Sequence, residues 1–140
     1  MNPYNAYRRP EPASGWTRID LILALYHKAL ERLDRAEAAL KGGDPLSAVT
    51  QLAKTQLIVS ELASGIRLDV NEEVGTNMLR LYEYAVHQLR TPQAAGIRNA
   101  REVLRTLADG FEAVREEANA LERGGQVNSA AKLQMVLATA

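Results

Sequence analysis

The chain has 140 residues, which is the size of one domain and is enough to bury about two thirds of the unfolded surface. Its 17 basic and 17 acidic residues cancel, so it has no basic field that would attract nucleic acid or an anionic membrane. It has no cysteine and only two histidines, which excludes disulfides and thiolate metal sites, and no cofactor is expected.

Residues 1–16 are predicted to form an extended N-terminal arm, because three prolines and a glycine in this stretch prevent it from packing by itself. The arm has no apolar segment of the signal-peptide kind. The longest apolar run of the chain, residues 21–26, is far too short to cross a bilayer. We therefore expect a cytoplasmic protein without membrane insertion.

The rest of the sequence is rich in alanine and leucine and poor in β-branched residues, which predicts an all-α protein. A first helix begins at the capping-box-like pair Thr17 and Asp20 and ends at Gly42-Gly43. A second helix begins at Asp44-Pro45 and ends within residues 65–69. The predicted inward side chains of the second helix are Val49, Leu52, Val59 and Ala63.

Two more helices complete the predicted bundle. Asn71 caps the third, and Thr91-Pro92 places a cap and a proline before a fourth. The apolar seam of the fourth helix runs unbroken from Ile97 to Leu121, and Gly124-Gly125 ends it. Four such helices joined by short turns predict an antiparallel up-down-up-down four-helix bundle over residues 17–124. Residues 125–140 are predicted to be a C-terminal tail that is partly helical.

The third helix contains two tyrosines whose side chains cannot share one face, because residues two positions apart point in different directions. Tyr82 belongs to the predicted inward row and is expected in the core. Tyr84 borders Leu81 on the outer shoulder, so it widens the apolar face of the helix instead of filling the core.

No metal site or catalytic site is predicted. A di-iron or di-manganese bundle needs inward carboxylates and Glu-x-x-His pairs, whereas Glu83 and His87 fall on the polar side of the third helix. A helical enzyme that uses buried charges would need them at inward positions. The arginines fall instead on polar arcs, namely Arg32, Arg35, Arg80, Arg101, Arg105 and Arg115. We predict that the protein is not an enzyme.

The predicted helices have more apolar surface than a simple amphipathic helix needs. The apolar arc of the first helix covers about 200°, whereas a surface helix typically needs little more than 100°. Ile58, Leu62 and Ile66 form a second row on the second helix. Two interpretations remain open: central helices of a bundle need wide stripes, or the extra rows line an exposed groove that binds an amphipathic, otherwise disordered peptide. Tyr4 and Tyr7 of the arm either cover such a groove or belong to a plainly disordered segment.

Four stretches of the chain follow a pattern known from one protein family. They are NPYNAYRR in the arm, DLILALYHKALERL in the first helix, KTQLIVSELASGI in the second and EVGTNMLRLYEYAVHQL in the third. The last is the most specific, since family members typically show an Asn-Leu-x-x-Leu-Tyr-Asp-Tyr core there. This chain has Asn77, Met78, Leu81, Tyr82, Glu83 and Tyr84 at those places. The chain thus resembles the flagellin-specific export chaperones of bacteria, the FliS type, from the arm to about Leu121.

The resemblance implies a chaperone that binds the disordered C-terminal region of flagellin in a hydrophobic groove. It also implies that binding prevents premature polymerisation in the cytoplasm and assists flagellar type III export, with components of the export gate as further partners. By resemblance, Tyr7 matches the arm tyrosine that packs over the groove. Together with the helical wheels, this gives four predicted flagellin-binding residues, Tyr7, Ile58, Leu62 and Tyr84. Gln56 is predicted instead to be a buried amide that needs hydrogen-bond partners.

An alternative function is a helical peptide-binding adaptor of unrelated purpose, which the same groove would serve. A separate hypothesis concerns residues 133–137, which are apolar enough to lie in the chain's own groove or in a neighbour's. Self-association through the arm or the tail is a further expectation.

Overall fold

Five helices and no strands make up residues 17–124, the part of the chain that the computed structural model describes. The helices are α1 (Arg18–Lys41), α2 (Pro45–Ser64), α3 (Glu72–Gln88), α4 (Ala94–Ala113) and α5 (Arg115–Arg123). The predicted all-α fold class is therefore confirmed. None of these five helices combines the length and the apolar composition that crossing a membrane requires. The predicted arm, 1–16, and tail, 125–140, lie outside the described residues.

Side-chain caps set the starts of α1, α2 and α3 where the sequence predicts them. Thr17 and Asp20 form a reciprocal capping box, in which each side chain accepts a hydrogen bond from the other residue's backbone N–H. The side chains of Asp44 and Asn71 each accept a bond from the backbone N–H three residues further on. A cap of this kind stabilises a helix by about 1 kcal/mol. The turn after α1 uses Gly43, whose φ of 75° lies in the left-handed region that favours glycine.

The prediction that Thr91 caps α4 is wrong. The N-cap is Gln93, and no side chain makes a capping hydrogen bond there. The backbone N–H of Gln93 donates to the carbonyl of Thr91 at 2.8 Å, so Pro92 lies in a tight turn ahead of the helix instead of in its first turn. Gly96 lets α4 approach the end of α3, because a Cβ at this position would lie 2.2 Å from the Gln88 carbonyl oxygen. This close contact between helices accounts for the start of α4 better than a cap does.

The prediction of one unbroken fourth helix is also wrong, because Val114 separates α4 from α5 with φ −106° and ψ 7°. The buried face nevertheless continues across the interruption, since Phe111, Val114 and Ala118 are all buried. The N–H of Ala118 still donates to the carbonyl of Val114 at 2.9 Å. The change is therefore a local departure from helical geometry that leaves the packing seam intact.

The predicted inward row of α2 is confirmed in part, because Leu52 and Val59 are buried and Ala63 is half-buried, whereas Val49 is exposed. Val49 was predicted to point inward and is 46% exposed. The buried residues are Ala48, Leu52, Thr55, Val59 and Leu62. The small side chains at positions 48 and 55 face the neighbouring helices, and the hydroxyl of residue 55 donates to the carbonyl four residues earlier at 2.8 Å. Burial of this threonine therefore leaves no polar group unpaired.

Polar contacts join the start of α1 to α5. The Arg115 guanidinium lies 2.7 Å from a carboxylate oxygen of Asp20, and the guanidinium of Arg18 lies 3.3 Å from the carboxylate of Glu122. Burial raises the pKa of Asp20, but hydrogen bonds from the backbone of Thr17 and from Arg115 outweigh it, so the pKa is lower than usual. The fifth helix is thus fixed to the end of the bundle at which α1 begins.

Candidate functional site: two grooves beside α3

Tyr82 and Tyr84 lie on different sides of α3, as their spacing predicts. Tyr82 is 2% exposed, and its hydroxyl shares a hydrogen bond with the hydroxyl of Tyr26 on α1. The two rings are 6.5 Å apart. Burial raises the pKa of Tyr82, and the bond to Tyr26 opposes this only in part. Tyr84 is 42% exposed, so the prediction of one core tyrosine and one surface tyrosine is confirmed.

An open groove of about 590 Å³ separates α2 from α3. We call it the α2–α3 groove. Its size falls within the range of about 300–1,000 Å³ that is typical of ligand-binding clefts. The floor is apolar, and it includes Val59 and Ala63 from α2 together with Leu79, Val86 and the ring of Tyr82 from α3.

The edge of the α2–α3 groove on the α3 side is charged. Arg80, Glu83, His87 and Arg90 all line the groove. Arg80, Glu83 and His87 follow one another at intervals of three and four residues, which places them in one row along α3. Arg90 continues this edge in the turn just after the helix ends at Gln88. Within residues 17–124, none of the four takes part in an ion pair. We call this row the charged rim, and an arginine stands at each of its ends.

A second, smaller groove of about 310 Å³ lies between α3 and α4, and we call it the α3–α4 groove. Its lining residues are Leu81, Tyr84, Asn99, Glu102, Val103, Thr106 and Leu107. Glu102 is the only ionisable acid or base in this lining apart from the tyrosine. Because Tyr84 lines both grooves, its ring forms the ridge between them.

Polar contacts at the end of α3 hold the helices that border the grooves. The side-chain amide of Gln56 on α2 donates to the carbonyl of Leu89 at 3.2 Å. Gln56 is half-buried. The sequence predicted an amide that needs hydrogen-bond partners at this position, and the carbonyl of Leu89 is such a partner. On the other side, the amide of Asn99 donates to the side chain of Gln88 at 3.0 Å. These two bonds therefore fix the distances of α2 and α4 from α3 at this end of the grooves.

Three of the four predicted flagellin-binding residues lie within residues 17–124, and of these three Tyr84 alone lines the α2–α3 or the α3–α4 groove. Ile58 is half-buried against the core and Leu62 is 4% exposed, and neither lines the α2–α3 or the α3–α4 groove. Leu62 belongs to the buried row of α2, so it offers a partner almost no surface. Tyr7 lies outside the described residues. Contact of Ile58, Leu62 and Tyr7 with a partner stays a prediction.

Sequence reasoning missed several residues of the α2–α3 groove. Val59 and Ala63 were assigned only to the core, and the part played by Leu79, Val86 and Arg90 was not predicted. The sequence contains a pattern that indicates these residues. Leu79 and Val86 are seven residues apart and therefore lie on one side of α3, next to Tyr82. That second apolar row on α3 matches the groove better than the row on α2.

The comparisons with known proteins decide the family. A family model described as flagellar protein FliS matches residues 1–118. The chain belongs to this family. The resemblance found in the sequence is thereby confirmed, and it gives the chain the role of a flagellar chaperone. The match ends within α5, so residues 119–140 lie beyond it. No curated protein and no solved structure gives a significant match.

Proposed function

We propose that this chain is a cytoplasmic chaperone that binds the disordered C-terminal region of flagellin, prevents its premature polymerisation and assists its flagellar type III export. The observation that supports this most is the α2–α3 groove, an open apolar depression of about 590 Å³. It borders α3, the helix that contains the most specific stretch of the family pattern. Family membership supplies the chaperone role, and the groove supplies a surface on which an unfolded partner can bury apolar side chains.

A groove of this kind competes directly with filament growth. The C-terminal region of flagellin is expected to stay disordered until assembly buries its apolar face, so a groove that buries this face first withholds it from other flagellin molecules. Ordering the segment costs about 2–5 kcal/mol. At roughly 25 cal/mol per Å² of buried apolar surface, about 80–200 Å² is needed to offset that cost alone.

The length of the groove is compatible with a short helical or extended segment. Its lining on α3 itself runs from Leu79 to His87, which is about 12 Å at 1.5 Å per residue, and Arg90 extends the lining past the end of the helix. Tyr84 stands at the edge of this surface with 42% of its area exposed. We infer that a bound segment covers the Tyr84 ring and that longer segments cross it into the α3–α4 groove.

The finer architecture follows as part of this proposal. We infer the antiparallel up-down arrangement of the helices, which is supported by contacts of α1 at its two ends. Arg101 of α4 lies 3.0 Å from Asp34 near the end of α1, whereas Arg115 of α5 binds Asp20 near its start. The arm with Tyr7 and the tail lie outside the described residues, so coverage of the groove by the arm and self-association through the arm or the tail are proposals from the sequence alone.

We infer that the chain catalyses no reaction, since binding and releasing an unfolded segment needs no covalent step. Components of the export gate are proposed as further partners, which would take over the chaperone–flagellin complex. A peptide-binding adaptor of unrelated purpose would use the same groove, so the choice between the two functions depends on the identity of the partner.

Co-purification with flagellin tests the proposed function. The full chain is expressed with the flagellin of the same organism and, in parallel, with the same flagellin lacking its C-terminal region. We expect a complex of about one to one with the complete flagellin and none with the truncated one. Equal recovery of both, or of neither, would contradict the proposal and favour the adaptor.

A matched pair of alanine variants tests the surface. Tyr84→Ala removes the ridge between the grooves and is expected to weaken flagellin binding by about 1–2 kcal/mol, the loss typical of an interface aromatic residue. Leu46→Ala is the control, because Leu46 is 76% exposed and lines neither groove. Isothermal titration should show weaker binding for the first variant and unchanged binding for the second.

A further inference from the structure

We propose that the α2–α3 groove selects segments that carry carboxylates along one edge, and that Arg80 and Arg90 determine this preference. The inference rests on the proposed function, since it assigns the chemistry of the segment that the groove binds. It concerns the charged rim, whereas the proposed function depends on the apolar floor.

The two arginines are available for a partner. Both are exposed and both line the groove. Within residues 17–124 neither forms an ion pair, whereas other arginines are already held by carboxylates, as Arg101 is by Asp34 and Arg115 is by Asp20. The guanidinium group binds carboxylates through paired donors, which makes it the side chain suited to recognising an acidic edge.

The spacing of the rim defines a pattern for the partner. Arg80 lies on α3, whereas Arg90 lies in the turn just after the helix ends at Gln88. The eight helical steps from Arg80 to Gln88 span about 12 Å, and the first residues of the turn add to this separation. A helix lying in the groove alongside α3 reaches both guanidinium groups when its carboxylates stand on one edge about two to three turns apart. Glu83 lies between the arginines, so the partner position that faces it favours a neutral or basic side chain.

The preference is local to this groove. The whole chain has no net charge, and the α3–α4 groove contains Glu102 without a basic residue in its lining. A long-range attraction to any acidic peptide is therefore not expected. Selection depends on a segment that places its apolar face on Leu79 and Val86, which are half-buried, while its acidic edge meets the rim.

Two designed peptides of about 20 residues test this preference. They have the same leucine and alanine face, and one has glutamates and the other lysines along the edge that meets the rim. Binding to the full chain is measured by fluorescence anisotropy at low and high salt. We expect the glutamate peptide to bind about two- to thirtyfold more tightly at low salt, the ratio that two exposed ion pairs produce. We also expect salt to reduce the difference.

Charge reversal on the protein provides the second arm of the test. The double variant Arg80→Glu and Arg90→Glu should prefer the lysine peptide, and Arg80→Met with Arg90→Met should lose the preference for the glutamate peptide. The control is Arg98→Glu with Arg105→Glu, since both residues are exposed on α4 and line neither groove. The control should keep the preference of the unmodified chain. A thermal melt verifies that each variant is folded.

The outcomes separate this inference from the proposed function. If flagellin binds through its C-terminal region but the rim variants leave peptide preference unchanged, the charge selection is refuted and the chaperone function stands. If the preference inverts as expected but flagellin does not bind, the charge selection is supported and the proposed partner is wrong. An equal effect of the α4 control variant would show a general charge effect and would overturn the assignment to Arg80 and Arg90.

Discussion

The substitution Gly96→Ala tests the closest approach between two helices that border the functional surface. A Cβ at Gly96 would lie 2.2 Å from the carbonyl oxygen of Gln88 and 3.3 Å from its carbonyl carbon. Ordinary contacts of a Cβ begin at 3.4 Å. Both obstructing atoms belong to the backbone at the end of α3, so no side chain can rotate away. One helix must move by about 1 Å to relieve the clash.

The expected loss of stability combines two opposing effects. Overpacking at a close helix contact costs about 1–3 kcal/mol. Alanine is a better helix former than glycine by up to about 1 kcal/mol in a helix interior, but Gly96 lies in the first turn of α4, where this gain is smaller. We therefore expect Gly96→Ala to lower the free energy of unfolding by about 1–2 kcal/mol.

Gly110 provides a matched control on the same helix. No atom lies within 4 Å of the Cβ that an alanine would place there. Gly110→Ala is therefore expected to raise the free energy of unfolding by about 0.5–1 kcal/mol. The same chemical change thus has opposite signs at two positions of α4.

Urea unfolding of the two variants and the unmodified chain, followed by circular dichroism at 222 nm, measures the free energies with a common slope. A Gly96→Ala variant as stable as Gly110→Ala would refute the close approach of α4 to Gln88. A destabilised Gly96→Ala variant should also lose affinity for segments that reach the α3–α4 groove, because the shift changes the spacing of that groove.

Three further predictions concern polar groups of the core and the α1–α5 contact. Tyr26→Phe should lower the free energy of unfolding by about 1–3 kcal/mol, because it leaves the buried Tyr82 hydroxyl without its partner, and urea unfolding measures the loss. Because the pKa of Tyr82 is raised in the folded state, its neutral form stabilises the fold fully below the ordinary value of 10.0. Stability should therefore fall as the pH rises above that value, and Tyr82→Phe should make the fall shallower in alkaline melts. The pKa of Asp20 is lowered, so its contribution is present above the ordinary value of 3.8 and is lost as the pH falls below it. Asp20→Asn should therefore be less stable than the unmodified chain at pH 7, and this gap should narrow as the pH falls below 3.8, whereas a gap that stays constant would contradict the role of Arg115.

The helix starts that the sequence predicted correctly depend on local chemistry. Thr17, Asp44 and Asn71 cap the helices that follow them because their side chains reach a backbone N–H within three residues. The division between Tyr82 and Tyr84 is equally local, since it follows from helical geometry alone. These features need no knowledge of the neighbouring helices.

The features that the sequence predicted wrongly depend on packing between helices. Thr91 has the chemistry of a cap, but the approach of Gly96 to Gln88 fixes the start of α4. Val49 is more apolar than Ala48, yet the smaller residue faces inward because α1 and α2 pack together there. The break at Val114 left no trace in the pattern, because the apolar seam crosses it.

The candidate site was also predicted incompletely, because its position depends on packing between helices. A row such as Ile58, Leu62 and Ile66 has enough apolar surface for a groove, and the wheel does not tell which part of it neighbouring helices cover. In the structure the row is half-buried or buried, and the open depression is lined from α2 by the adjacent positions Val59, Ser60 and Ala63. Within residues 17–124, Tyr84 is the one predicted binding residue that lines the grooves.

The residues along the α3 side of the groove differ in burial, and burial determines whether a substitution changes binding alone or changes stability as well. Tyr82 belongs to both the core and the floor of the α2–α3 groove, so a substitution there alters folding and binding together. Arg80, Tyr84 and Arg90 are exposed, and surface substitutions usually change stability by less than about 0.5 kcal/mol. Partner preference is therefore adjustable at the rim and the ridge, whereas the apolar floor is constrained by the core that it covers.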